Sequence, residues 1–357
     1  MTNLPNTMHG VQLTKHGDVD ALRYTTNIAL PALASNDVLI KVMAAGVNNT
    51  DVNTRLAWYS KQDNNSDDAG WSGSALNFPR IQGADVCGVI VAVGNNVNAD
   101  RIGERVLVEP CLIKANGETL TSPWYFGSEC DGGFAQYTAV DSFHAYKISS
   151  RYSDVELASF PCSYSTAENM LYRASAKEGS TILVTGASGG VGSAAVQLAK
   201  ARGAYVIALT SKSKAQQLTD LGADKVVFRE DDLVEMLGKN SVDIVVDLVA
   251  GEQWPCLLDL LKPKGCYAVS GAIGGAMVTL DIRTLYLKDL SFFGCTVLEP
   301  GVFKRLICFI EQEKIKPVVA QTFPLNQIVE AQQAFLQKRH VGKIVLTIPQ
   351  DGSGVRT

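Results

Sequence analysis

The chain has 357 residues, with 32 Lys and Arg against 36 Asp and Glu, a formal net charge of −4. Apolar residues make up 46% and charged residues 19%, which excludes a disordered chain. At ~100–200 residues per domain, the length predicts two domains. The weak negative charge argues against nucleic acid as a partner, and no apolar run reaches the ~18 residues of a membrane span. The opening MTNLPNTMHG has neither the basic nor the apolar region of a signal peptide, so a cytoplasmic location is expected.

From about residue 10 to 145 the pattern is one of short strands broken by Gly, Asn and Pro, at 38–45, 85–93, 105–109 and 134–140. This predicts a β-rich, partly barrel-like domain. The polar stretch 61–77, rich in Ser, Asn, Asp and Gly, interrupts it as a long loop, which in a compact domain is either functional or disordered. Near Tyr152 the texture changes. Residues 154–173 carry a helical pattern broken at Pro161, and from Thr181 strands alternate with helices. Strands are predicted at 181–185, 204–210, 225–228, 244–247, 266–270 and 291–297, and helices at 190–201, 214–221, 232–237, 253–261 and 282–288. Continuous Val, Ile and Leu in alternation with helices predicts a parallel sheet covered on both faces, a doubly wound α/β dinucleotide-binding fold. The tail, 301–348, reads helix, short strand, helix, strand and is expected to return to the first domain.

The eight cysteines contain no C-x-x-C, and the four histidines no H-x-x-x-H. Several cysteines sit in apolar strands, as Cys87 does in DVCGVIVAV, which fits reduced, buried side chains. No metal site is expected, because nothing offers ligands at close spacing.

The segment TILVTGASGGVGSAAVQLAK, 181–200, runs from a buried strand through Gly186, Ala187, Ser188, Gly189, Gly190, Val191 and Gly192 into an apolar helix. Glycines permit a tight turn and close approach of a pyrophosphate, and the helix N-terminus supplies N–H groups. An NAD site carries an acid at the end of the second strand, for the ribose 2′-OH. Here Thr210 is followed by Ser211, Lys212, Ser213 and Lys214, two hydroxyls and two ammoniums that suit a 2′-phosphate. NADPH is the expected cofactor.

Taken together, these residues resemble the medium-chain dehydrogenase/reductase superfamily, and within it the zinc-free quinone-oxidoreductase-like branch. The resemblance rests on AAGVNNTD at 44–51, FPRIQGAD at 78–85, Gly94 with IGERV at 102–106, GFAQY at 133–137, STA at 165–167 and VGKIVL at 341–346. It implies a GroES-like catalytic domain from 1–150 and 300–357, and a Rossmann NADP-binding domain over 151–299. It also implies cofactor contacts at Asn48, Thr166, Ser188, Gly189, Gly190, Val191, Thr210, Ser211, Lys214, Gly271 and Lys343. Zinc alcohol dehydrogenases share the architecture, but their three catalytic ligand positions here are Asn48, Ala84 and Cys162. Asn48 and Ala84 bind zinc poorly or not at all, and Cys162 reads as a packing residue.

Without a Lewis acid, a conjugated acceptor is reduced more easily than a plain ketone, because the enolate or phenolate spreads its charge. The resemblance implies the same small-molecule substrates, quinones or α,β-unsaturated carbonyls. Catalytic candidates are Tyr59, Asn48 and Asp51. A Tyr59 phenol could donate to the charged oxygen or simply pack on Trp58; Asp51 could act or only brace its turn. A homodimer is expected through the edge strand at 291–297. A zinc-dependent alcohol dehydrogenase and a non-catalytic NADPH-binding sensor or structural protein stay open as alternatives.

Overall fold

The computed structural model describes residues 4–61 and 66–350. Residues 62–65 of the expected long loop therefore lie outside the described residues. The chain divides into two compact units. The first comprises residues up to 162 with 319–339 and from 343 onward; the second comprises 163–318 with 340–342.

In the first unit the strands are β1 (Thr7–Leu13), β2 (Leu22–Ala29), β3 (Asp37–Val47), β4 (Arg80–Ile81), β5 (Asp85–Val93), β6 (Arg105–Val108), β7 (Cys111–Ala115), β8 (Glu118–Tyr125), β9 (Tyr137–Asp141) and β10 (Ala145–Lys147). Helix α1 (Asn49–Arg55) follows β3, and α2 (Asp154–Leu157) precedes α3 (Pro161–Arg173), which runs into the second unit. Proline at the start of α3 fits its first turn, where no N–H is needed.

The second unit alternates regularly: β11 (Thr181–Val184), α4 (Gly190–Ala201), β12 (Tyr205–Thr210), α5 (Ala215–Asp220), β13 (Lys225–Phe228), α6 (Leu233–Leu237), β14 (Val242–Asp247), α7 (Trp254–Leu260), β15 (Leu261–Val269), α8 (Ile282–Leu287), β16 (Ser291–Gly294) and α9 (Val302–Glu311). The tail supplies β17 (Val319–Pro324), α10 (Ile328–Leu336) and β18 (Lys343–Thr347) to the first unit.

The six strands β11–β16 form one parallel sheet ordered β13-β12-β11-β14-β15-β16. This is the doubly wound order, with the nucleotide end at the C-terminal edges of β11 and β14. The GroES-like unit is built on β10-β6-β5-β3-β18-β17, with β9 also paired to β3, beside a small sheet β2-β1-β4 and the hairpin β7-β8. Its core gathers Val38, Ile40, Val42, Val86, Ile90, Phe134, Ile344 and Leu346, all buried.

The tail enters the first unit at residue 319, later than the expected 300. The reason is α9, whose Val302, Phe303, Leu306, Ile307 and Ile310 are buried within the second unit. No described helix is long and apolar enough to cross a membrane.

Candidate active site

Three neighbouring strand ends assemble a polar cluster in the first unit. Strand β3 runs between β5 and β18, with Gly46 opposite Asp85 and Val47 opposite Ile344. This register sets Asp85 at the start of β5, Asn48 just past β3 and Lys343 at the start of β18 side by side. Gly46 makes the room: a Cβ there would overlap the Asp85 carboxylate and lie 2.8 Å from the Ala158 carbonyl oxygen.

All four polar groups of the cluster are buried: Asn48, Asp51, Asp85 and Lys343. The Lys343 ammonium pairs with Asp85 Oδ2 at 2.8 Å, donates to the Val47 carbonyl at 3.0 Å and donates to Asn48 Oδ1. Its three N–H bonds thus all end inside the first unit. Asn48 Nδ2 donates to Asp85 Oδ2 at 2.8 Å and, at 3.4 Å, to the Gly46 carbonyl. The other Asp85 oxygen accepts the Cys162 backbone N–H at 2.6 Å. Hence Asn48, expected on cofactor or substrate, and Lys343, expected on cofactor, are tied to Asp85.

Asp51 closes the first turn of α1 by accepting the Asn48 backbone N–H at 2.8 Å. Burial pushes its carboxyl up to about 7; the Asp85 charge adds to this, while the Asn48 N–H and Lys343 oppose it. Tyr59 follows α1, and its hydroxyl donates to Thr50 Oγ1 at 3.1 Å. Burial pushes this phenol up to about 12 against the hydrogen bond with Thr50, with Cys162 and Asp51 as electrostatic neighbours. Its ring also packs edge-on against Trp58, centroids 5.7 Å apart. The structure thus shows the packing on Trp58, with the phenol proton directed to Thr50.

Cys162 Sγ lies 3.0 Å from the Tyr125 hydroxyl. Burial and, next, the Asp85 charge push the thiol up to about 12 against the opposing pull of Lys343 and the bond with Tyr125. Burial likewise holds the Tyr125 phenol far above its ordinary range. Both groups are neutral at ordinary pH. Asp85 and Tyr125 are the members that sequence reasoning missed. Asp85 stands in the quoted FPRIQGAD segment, so its motif could have flagged it. Tyr125 carries no local signal.

Among the described residues, no group of three or more His, Cys, Asp and Glu side chains could hold a metal ion.

In the second unit, β11 passes into α4 through Gly186, which has φ +55°. A Cβ on Gly192 would overlap the Gly186 carbonyl and lie 2.6 Å from Ala187 Cα, so the turn closes only around glycine there. Gly189 caps α4 with no side-chain acceptor, leaving the first N–H groups of the helix for a ligand. Asp247 braces the surrounding strand ends, accepting from Thr185 Oγ1 at 2.5 Å, the Tyr267 hydroxyl at 2.6 Å and the Val249 N–H at 2.9 Å. A Cβ on Gly271 would come within 2.7 Å of the Leu248 carbonyl oxygen, so this glycine permits the close approach of the loops after β14 and β15.

The fold brings Ser188, Gly189, Gly190, Val191, Thr210, Ser211 and Lys214 together at the C-terminal ends of β11 and β12, with Gly271 beyond β15. Thr166 lies half-buried on α3 in the same unit.

These residues fit a phosphorylated dinucleotide. Lys214 is buried, donates to Ser188 Oγ at 3.3 Å, and has its pKa lowered by burial and by the charge of Arg229. Both influences disfavour the charged ammonium, and an arriving anion would oppose both by stabilising that charge. The Thr210 hydroxyl is buried with no hydrogen-bond partner, and no acid follows β12. Arg229, just past β13, was missed in the sequence; a basic residue following the third strand is the signal that could have marked it. Among the described residues it forms no ion pair with a carboxylate.

Residues 34–150 match the alcohol dehydrogenase GroES-like domain family, and residues 190–312 match the zinc-binding dehydrogenase family. The 2-methylene-furan-3-one reductase of Solanum lycopersicum is 30% identical over 96% of this chain and 80% of its own length. The quinone oxidoreductase of Homo sapiens is 26% identical over 96% of this chain and 98% of its own. A crystal structure from Sinorhizobium meliloti 1021, described provisionally as an alcohol dehydrogenase, is 42% identical with a TM-score of 0.89, covering 98% of this chain and 99% of that one.

The fold and the two sites define a two-domain nicotinamide-dependent oxidoreductase. The chain belongs to the medium-chain dehydrogenase/reductase superfamily, in its quinone-oxidoreductase-like branch.

Proposed function

We propose that the chain is an NADPH-dependent reductase of quinones and α,β-unsaturated carbonyl compounds that works without zinc. The observation that carries this reading is the buried Lys343–Asp85–Asn48 cluster. Of the three positions where zinc alcohol dehydrogenases place ligands, Asn48 and Cys162 here converge on one carboxylate, that of Asp85, and Ala84 offers no donor. That carboxylate is already neutralised by a protein ammonium, which would repel a dication.

A bound NADPH supplies a hydride. The residues then have to steady the negative charge that develops on the acceptor oxygen. Conjugated acceptors ask least of them, since that charge is delocalised. The names of the tomato and human relatives point to acceptors of this kind. Tyr59 keeps its proton throughout the neutral range and, on turning its hydroxyl from Thr50 to the acceptor, is the donor to that oxygen. Asp51, titrating near neutrality, is a second group able to hold a proton in the same cluster. Lys343 and Asp85 hold Asn48 and the first turn of α3 in place.

The preference for NADPH rests on Lys214 and Arg229, with Ser211 and Thr210 as hydroxyl donors. A homodimer in the cytoplasm completes the reading. Among the described residues strand β16 has a partner on one side only, and Met277, Ile282, Tyr286, Leu287 and Phe292 are exposed on and before it.

Elemental analysis of protein purified without chelators, joined to NADPH oxidation with a panel of quinones, enones and simple ketones, tests the proposal. Turnover of the conjugated acceptors at sub-stoichiometric zinc is the expected result. About one zinc per chain with turnover of alcohols would establish the alcohol dehydrogenase alternative. NADPH binding with no acceptor reduced would leave a sensor or structural protein.

A further inference from the structure

We infer that Trp71 and Tyr125 form an aromatic wall that makes this reductase prefer flat, ring-bearing acceptors, such as aryl enones and quinones, over small aliphatic enones. The inference rests on the proposed reductase reading and names its substrate class more narrowly.

Trp71 belongs to the long polar loop that sequence reading left as either functional or disordered. Its described part is built. The Gly70 N–H donates to the Ser74 carbonyl at 2.8 Å and the Gly73 N–H to the Gly70 carbonyl at 3.0 Å, closing a tight turn. Ala69 and Gly70 are buried. The Trp71 N–H donates to Ser128 Oγ at 3.2 Å, and the Ser72 N–H to Glu129 Oε1 at 2.8 Å. The second Glu129 oxygen accepts the Tyr125 N–H at 2.8 Å. One carboxylate thus fixes both the loop and the end of β8.

The result is an indole lying over a phenol, centroids 4.9 Å apart and planes inclined by 33°. Tyr125 is buried beneath, while Trp71 stays half-exposed. The Tyr125 hydroxyl reaches Cys162, and the Cys162 N–H reaches Asp85. Through these contacts the indole and phenol are joined to the cluster assigned to catalysis. An indole held in place stacks an electron-poor conjugated ring with little loss of side-chain entropy, and an acceptor without a ring gains nothing comparable.

The test uses the full chain with NADP⁺ or NADPH. Trp71→Ala and Trp71→Leu, the latter keeping apolar bulk without a π face, are compared with Trp71→Phe, folding being checked by circular dichroism. Calorimetric binding of 4-phenylbutan-2-one, an unreactive ring-bearing product, should weaken roughly tenfold in Trp71→Ala and Trp71→Leu and about threefold at most in Trp71→Phe. KM for 4-phenylbut-3-en-2-one should rise in parallel with kcat little changed, and KM for but-3-en-2-one should stay at the wild-type value. Equal losses for both enones, wild-type behaviour of Trp71→Leu, or no binding of the ring-bearing ketone by the wild type would overturn the inference. Trp71-dependent binding in a protein that reduces neither enone would sink the reductase reading and leave the aromatic subsite standing.

Discussion

Replacing Lys343 with methionine removes the ammonium at the centre of the cluster while keeping most of the side-chain volume. Lys343 is 2% exposed and Asp85 0%, so water cannot take over the lost interactions. The Asp85 carboxylate would keep only the Asn48 amide and the Cys162 N–H, and Val47 O and Asn48 Oδ1 would lose their donor. Breaking a buried pair by removing one partner costs about 3–5 kcal/mol, a large share of the ~5–15 kcal/mol that holds a domain folded. In Lys343→Met/Asp85→Asn the remaining carboxylate is gone, and the freed Asn48 amide can rotate so that its carbonyl accepts from the new amide. This variant should recover at least about 2 kcal/mol, a coupling expected of contacting residues. Equilibrium urea unfolding followed by tryptophan fluorescence measures it. Trp58, Trp71 and Trp124 lie in the first unit and Trp254 in the second, so a Trp254→Phe background isolates the relevant transition. A loss under about 1 kcal/mol for Lys343→Met, or strictly additive effects in the double variant, would refute the claim that this ion pair anchors the site.

Asp51 has a folded pKa near 7, above its ordinary value of 3.8, so the folded state binds the extra proton between those values. Stability then falls as pH rises from about 4 to 7, by up to ~1.4 kcal/mol per pH unit. Asp51→Asn should flatten this slope in urea midpoints at pH 5, 6 and 7, and parallel slopes would contradict the assignment. Lys214→Ala should weaken NADPH binding roughly 10- to 100-fold and leave NADH nearly unchanged; equal losses in titrations with both cofactors would show that Lys214 does not read the 2′-phosphate. Tyr59→Phe should lower enone turnover about tenfold and quinone turnover less, at constant NADPH affinity; wild-type rates on both would return Tyr59 to packing on Trp58. Phe292→Asp should convert a dimer to monomer in light scattering at micromolar concentration, and a wild-type chain already monomeric there would remove the dimer.

The parallel sheet was legible because its signals are local. Continuous apolar strands, the glycine turn at 186–192 and the change of texture near Tyr152 all lie within short windows, and β13 (Lys225–Phe228) and α4 (Gly190–Ala201) fall at their expected bounds. The cationic end of β12 was legible for the same reason. The point where the tail leaves the second unit was not, since α9 has an amphipathic pattern that either unit could bury.

The sequence alone determined the family, the fold class and the residue types available for a phosphorylated dinucleotide. Only the tertiary structure decided what those residues touch. Asp85 and Lys343 meet because β5, β3 and β18 are neighbours in one sheet, and no periodicity in the chain encodes a pairing across that separation. The same pairing gives Lys343, an expected cofactor contact, a buried carboxylate as partner. A Trp in a polar loop became part of a wall over Tyr125 because Glu129 bridges two segments distant in sequence. Burial is the physical reason in each case: a charge or an aromatic ring acquires its role from what excludes water around it, and that is a property of the folded neighbourhood.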